Sequence, residues 1–237
     1  MKNLTLVAID GLGIATDFYI KLFELCNKEI NFENNILFTS APVDSIYSPE
    51  NIKINFVQIP KLTYTQFNKF CLTEINSHIT TSHIIMIQTD GFICNGENWK
   101  DEYFDYDYIG QPWLEDEPGS FPWVKSYEES VGEGGFTLRS KKLLETLCNI
   151  DRSIIDNYQA NEDIFISSYA RDFLKSQGCK FATPEIGIQF CAGYYIDFNK
   201  LDSAFGFHAQ PYVEEVLNRY KSKYGIDYTN SEINYKK

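Results

Sequence analysis

The sequence predicts an α/β protein built on a mixed, mostly parallel central sheet flanked by helices. Between residues 4 and 88, apolar strand-like runs alternate with stretches of helical spacing, in the order strand, helix, strand, strand, helix, strand. Hydrophobic residues make up 43% of the 237 residues, enough for one sizeable core. No internal repeat and no Ser/Gly linker divides the chain, so residues 1–228 read as one domain and 229–237 as a polar tail.

The elements follow in order. "LTLVAI" (4–9) is a continuous apolar run, as a strand buried on both faces requires. Tyr19, Leu22, Phe23 and Cys26 recur at helical spacing. "NILFTS" (35–40) and the alternating "IKINFVQI" (52–59) are the next strands, and Phe67, Phe70, Cys71 and Ile75 mark a second helix. "HIIMIQ" (83–88) is a further strand, ending just before Asp90 and Gly91. From Glu97 to Glu117 eight acidic residues stand against one lysine, and Pro112, Pro118, Gly119 and Pro122 break the stretch into loops. In "VGEGGFTLRS" (131–140) the pair Gly134–Gly135, read alone, is a tight turn. "KKLLETLCN" (141–149) is helical, "NEDIFISSYARDFLKSQG" (161–178) is a helix capped by Asn161 and ended by Gly178, and Val213, Val216, Leu217 and Tyr220 share one face of a last helix.

Composition excludes several classes. A formal charge of −12 repels phosphate backbones and argues against non-specific nucleic-acid binding. The same field repels a nucleotide diphosphate unless a cation intervenes. The six cysteines are scattered and form no C-x-x-C pair, so buried free thiols are expected rather than a zinc site. The start is too short in apolar residues for a signal-peptide core, no run approaches 18 apolar residues, and a cytoplasmic protein without a transmembrane segment is expected.

Five stretches hold chemistry-bearing residues, each with a structural alternative. "DGLG" (10–13) follows a strand and precedes a helix, but Thr16 stands where a dinucleotide fingerprint has its third Gly or Ala, so a plain turn after Asp10 competes with a nucleotide loop. Asp90, at a strand's carboxyl end, is a ligand for a divalent cation or a turn former before Gly91. The glycines of "EGGF" (133–136) allow close approach of a ligand or a tight turn. "NED" (161–163) is a helix start or the site of a general base, and one chain segment can serve both. His208 lies in a loop-like stretch among aromatics, whereas His78 and His83 fall on predicted elements and read as structural.

Taken together, "QTDGFICNGENW", "DYDYIGQPW", "VGEGGFTLRSKKLL", the Glu-Asp pair and "FGFH" resemble a family of bacterial and viral glycosyltransferase-like proteins long catalogued as a domain of unknown function. The resemblance runs from about residue 4 to residue 210 and implies a GT-A-like (Rossmann-like) domain, a nucleotide-sugar donor and Mn²⁺ or Mg²⁺. It makes Asp90 the surviving carboxylate of a D-x-D metal motif and His208 a second metal ligand. Gly134 and Gly135, with Asp10, Gln88, Gly91, Trp113 and Arg139, become donor- or acceptor-binding candidates. It makes Asp163, with Glu162 second, the base of an inverting transfer to a hydroxyl of a glycan or another acceptor, a modified DNA base being disfavoured by the acidic charge. The chain departs from the pattern at Glu133 (Asn is usual), at Asn161 (Pro is usual) and in having one Asp where D-x-D has two. That leaves most coordination positions to phosphate and water, an arrangement Mg²⁺ tolerates. The rival readings are a non-catalytic carbohydrate-binding protein on a degenerate fold and a nicotinamide oxidoreductase built on "DGLG".

Overall fold

The computed structural model describes residues 2–114, 120–193 and 198–225. The expected polar tail after residue 228 and the acidic residues 115–117 lie outside the described residues. Among the described residues the strands are β1 (Leu4–Asp10), β2 (Asn34–Thr39), β3 (Asn55–Gln58), β4 (His83–Ile87), β5 (Gly91–Ile93), β6 (Tyr108–Pro112), β7 (Val131–Ser140), β8 (Cys191–Gly193) and β9 (Gly206–His208). The helices are α1 (Thr16–Glu29), α2 (Tyr64–Thr73), α3 (Lys141–Cys148), α4 (Arg152–Asn157), α5 (Glu162–Ile164), α6 (Arg171–Ser176), α7 (Pro184–Phe190) and α8 (Val213–Tyr224).

Six strands form the main sheet in the order β3-β2-β1-β4-β7-β6. The pairs β3–β2, β2–β1 and β1–β4 are parallel, whereas β7 runs antiparallel to both β4 and β6. The sheet is therefore mixed and mostly parallel, a GT-A-like α/β arrangement with helices on its faces. β1 sits inside it and is buried at every residue, which its unbroken apolar run requires. Leu6 and Ala8 join one core cluster with Phe18, Leu22 and Cys26 of α1, while Val7 and Ile9 point to the other face and pack with Ile36, Met86 and Cys71 of α2.

Local chemistry explains the helix starts. Thr63 and Gln66 form a reciprocal capping box at α2, Ser140 caps α3, and Thr183 followed by Pro184 opens α7. α8 stops at Gly225, whose φ of 69° is left-handed. The helix expected over 161–178 is interrupted. α5 passes into a π turn over Phe165–Tyr169, where the Ala170 N–H reaches the Phe165 carbonyl at 2.7 Å, before α6 resumes.

Two expectations are corrected. Gly134–Gly135 is no turn: both residues lie inside the ten-residue β7, whose alternation is masked in the sequence by three glycines. The stretch containing "YIGQP", read as loop because of its proline, is β6. It tolerates Pro112 at its end, on a strand whose pairing with β7 shifts register around Gln111.

Candidate active site

A second, three-stranded sheet, β5-β9-β8, lies at the carboxyl edge of β4 and assembles the site. After β4 the chain turns through Gln88, Thr89 and Asp90 into β5, and Gly91 pairs with His208 of the antiparallel β9. The Ala209 N–H donates to the Asp90 carbonyl at 2.9 Å, so the backbone fixes this junction independently of either side chain. His208 Nε2 then stands 3.4 Å from Asp90 Oδ1. Asp90 keeps 21% of its side chain exposed. Burial alone would raise the Asp90 carboxyl, but the hydrogen bond and positive charge of His208 outweigh it and hold Asp90 below its ordinary value. Burial would likewise lower His208, and the carboxylates of Asp90, Glu133 and Asp163 turn the balance upward.

The glycines of β7 do allow a close approach, but to groups of this chain. A Cβ on Gly135 would fall 2.0 Å from His208 Nε2, and one on Gly134 would fall 2.8 Å from Asp163 Cβ. Gly134 and Gly135 are consecutive on β7, and the Asp163 carboxylate acts through its charge on the His208 ring, so the two groups share one neighbourhood. Gly91 is short of room because the Gly135 carbonyl passes 2.6 Å from where its Cβ would stand. Gln88 donates its backbone N–H to that same carbonyl at 3.1 Å. Gly91 and the Gln88 backbone thus hold β4 to β7.

Glu162 and Asp163 are adjacent and differ in duty. Glu162 Oε1 accepts from Arg139 NH2 at 2.9 Å in a fully enclosed ion pair, and the Glu162 N–H donates to Asn68 Oδ1 at 2.8 Å. Arg139 is wholly buried and also donates Nε–H to Thr137 Oγ1 at 3.0 Å. β7 thus carries Arg139, expected among the donor- or acceptor-binding candidates, into the core against Glu162. Asp163 Oδ2 accepts from the Gly134 N–H at 2.9 Å and Oδ1 from the Ile164 N–H at 2.7 Å. Burial, then repulsion from Glu162 and Glu133, pushes the Asp163 carboxyl well above the usual carboxylate range, against the lowering effect of the Ile164 N–H and Arg139. Asn161 occupies the cap position of α5 but makes no side-chain cap bond; its Oδ1 accepts from the Tyr64 hydroxyl instead.

Two partners of this centre were not foreseen. Glu133 Oε1 lies 3.4 Å from His208 Nδ1, and its Oε2 accepts from the Trp113 indole N–H at 3.1 Å. Trp113 itself is buried at 4% exposure, with Phe121 and Trp123 against its ring. The signal was present in "VGEGGF", but only the strand pairing shows which way Glu133 faces. The second is a cleft of about 400 Å³ between the carboxyl end of β1 and the start of α2, lined among others by Gly11, Leu12, Ile14, Tyr19, Tyr64 and Thr89. It reaches the residue next to Asp90, lies where open α/β sheets take ligands, and has no Lys or Arg in its lining. Leu12, Ile14 and Tyr64 are more than half exposed there. Asp10 sits at its floor with both oxygens occupied: Oδ1 accepts from the Gly13 and Ile14 N–H groups, and Oδ2 from the Ala15 N–H and the Thr16 hydroxyl. Asp10 therefore holds the loop that starts α1, and Thr16, which spoils the dinucleotide pattern, is one of its partners.

Among the described residues no group of three or more His, Cys, Asp or Glu side chains is arranged to hold a metal ion. Asp90 and His208 do fit as an adjacent pair on one ion: donors at about 2.0–2.1 Å in octahedral geometry stand roughly 3 Å from each other. Carboxylate oxygen and imidazole nitrogen are donors that Mn²⁺ accepts.

The family model described as "Protein of unknown function (DUF5672)" matches residues 53–208, from β3 to the last residue of β9. The chain belongs to the DUF5672 family. No curated protein matches the sequence. Among solved structures, this DUF5672 protein is similar to a glycosyltransferase involved in the glycosylation of the major capsid of PBCV-1. The TM-score is 0.53 and the sequence identity 12%, over 86% of this chain and 91% of that one. That likeness concerns the fold. Among the described residues no helix is long and apolar enough to cross a membrane.

Proposed function

We propose that this protein is a glycosyltransferase that moves a sugar from a nucleotide-activated donor to a hydroxyl acceptor, with inversion. The observation that carries the reading is the meeting, on neighbouring residues of β7, of a buried carboxylate of raised proton affinity with an Asp–His pair at the sheet's carboxyl edge. The donor's nucleoside lies in the cleft beside β1 and α2, and its diphosphate lies toward Asp90. No basic side chain lines that cleft, so Asp90 and His208 would hold Mn²⁺ or Mg²⁺ there, and the ion would offset the charge developing on the leaving diphosphate.

Asp163 is the base. As the acceptor oxygen bonds to the sugar's anomeric carbon and the bond to the diphosphate breaks, the acceptor proton passes to the Asp163 carboxylate. Its raised pKa makes it a stronger acceptor than an ordinary Asp, while the Gly134 and Ile164 N–H groups keep it oriented. Glu162 is not the base in this reading, because Arg139 occupies its Oε1. The acceptor is a glycan or another hydroxyl compound.

The test is release of nucleoside diphosphate from a panel of nucleotide sugars, with and without Mn²⁺, to water and to added sugars. Metal-dependent release from one donor supports the reading. Release from none, under conditions where the chain is folded, contradicts it.

A further inference from the structure

The side chains around His208 form a line: Trp113 Nε1–H donates to Glu133 Oε2 at 3.1 Å, Glu133 Oε1 stands 3.4 Å from His208 Nδ1, and His208 Nε2 stands 3.4 Å from Asp90 Oδ1. Each member is fixed by something else. Trp113 is buried, and its ring lies where a Cβ on Gly132 would stand, 2.2 Å from Cζ3. Glu133 belongs to β7, opposite Gln111 of β6. The His208 ring lies over Gly135 and is 8% exposed. An imidazole can donate through one nitrogen and bind through the other, and the partner of the first selects the tautomer.

We propose that Glu133 is a positioning residue for His208, holding the ring proton on Nδ1 so that Nε2 faces Asp90 as a bare donor for a divalent cation. This inference rests on the metal-assisted reading of Asp90 and His208, and it adds a residue outside that pair. Two observations favour the assignment over a merely structural carboxylate. The glutamate's two oxygens are divided between an indole N–H and the imidazole, so neither is spent on backbone. In addition, Glu133 keeps only 15% of its side chain exposed, and the ionisable base that it faces there is the His208 ring. Trp113 then acts one step further out, by fixing the carboxylate's rotation.

The experiment compares the full chain with Glu133→Ala, Glu133→Gln and Trp113→Phe, using two readouts. The first is the Kd for Mn²⁺ alone, without donor. Glu133→Ala should weaken it about 10–100-fold. Glu133→Gln, whose amide oxygen still accepts from Nδ1–H, should recover most of the loss, and Trp113→Phe should weaken it only a few-fold. The second is the ring-nitrogen NMR spectrum of the metal-free chain at a pH where the imidazoles are neutral. It has only three histidines to assign, and His208 should change from the Nδ1–H to the Nε2–H form in Glu133→Ala, with His78 and His83 unmoved. Unchanged Mn²⁺ affinity in Glu133→Ala, or a His208 tautomer that ignores the substitution, overturns the inference. A wild-type chain that takes up no Mn²⁺ contradicts the metal reading instead, and the NMR spectrum then decides this one separately.

Discussion

Replacing Asp163 by Asn separates chemistry from architecture at this site. The carboxylate accepts two backbone N–H groups, from Gly134 and Ile164. An amide has one oxygen, so one of those N–H groups must face an NH₂ group. An unmet buried donor costs about 1–3 kcal/mol. In return, where pH is high enough to ionise Asp163, the variant removes a charge that burial and the carboxylates of Glu162 and Glu133 oppose. The two effects act against each other, and the net change in stability should be within about 1–2 kcal/mol. For a chain of this size 1 kcal/mol corresponds to about 2–4 °C in Tm. Turnover should fall about 10²–10⁴-fold, because the amide takes no proton near neutral pH. Donor affinity, measured by titration, should stay within about threefold of wild type. The assay is transfer rate, donor Kd and Tm for Asp163→Asn beside wild type. Transfer within a few-fold of wild type by a folded Asp163→Asn chain would refute the assignment of the base.

Glu162→Gln should show the opposite profile. It leaves the enclosed Arg139 guanidinium without its counter-ion, and breaking a buried pair costs about 3–5 kcal/mol, so Tm should fall by roughly 6–20 °C, read by thermal denaturation. Gly135→Ala places a Cβ against the His208 ring and should abolish the Mn²⁺ response, followed by titration with the metal alone. The pH dependence follows from the raised Asp163 pKa. Protonated Asp163 favours the folded chain at low pH, and that contribution is lost as pH rises from the ordinary carboxylate range through the raised value. A base must be ionised, so turnover should rise over that upper limb. Asp163→Asn should remove both effects, gaining stability relative to wild type as pH increases, as paired denaturation curves would record.

Much of the scaffold was legible because its signals are local. β1 and β4 are apolar runs, and α1 and α2 show their spacing even through loops. β7 was not legible: Gly132, Gly134 and Gly135 remove the side chains that alternation depends on, and they are present because Trp113, Asp163 and His208 need the space. The site residues divide in the same way. Asp90 was conspicuous at a strand's end. Arg139, by contrast, looks like a surface residue before "KKLL", since nothing in the sequence reveals that β4 and β6 flank it on both sides. Asn161 shows how propensity can mislead. It is a favoured cap residue in the cap position, yet its side chain accepts from the Tyr64 hydroxyl of α2 instead. Losing that exposed hydrogen bond should cost no more than about 0.5–1.5 kcal/mol.

The central claim is that a nucleotide sugar and a divalent cation are bound together at the Asp90–His208 pair, beside Asp163. The most direct measurement is the melting temperature of wild type, Asp90→Ala, His208→Ala and Asp163→Asn across nucleotide sugars with Mn²⁺. A donor at 100 times its Kd stabilises the folded chain by about 2.7 kcal/mol, a rise of roughly 5–11 °C at this size. The account predicts that rise in wild type and Asp163→Asn, only with metal present, and its loss in Asp90→Ala with a weakened response in His208→Ala. An equal rise in all four chains, or one indifferent to metal, would contradict it.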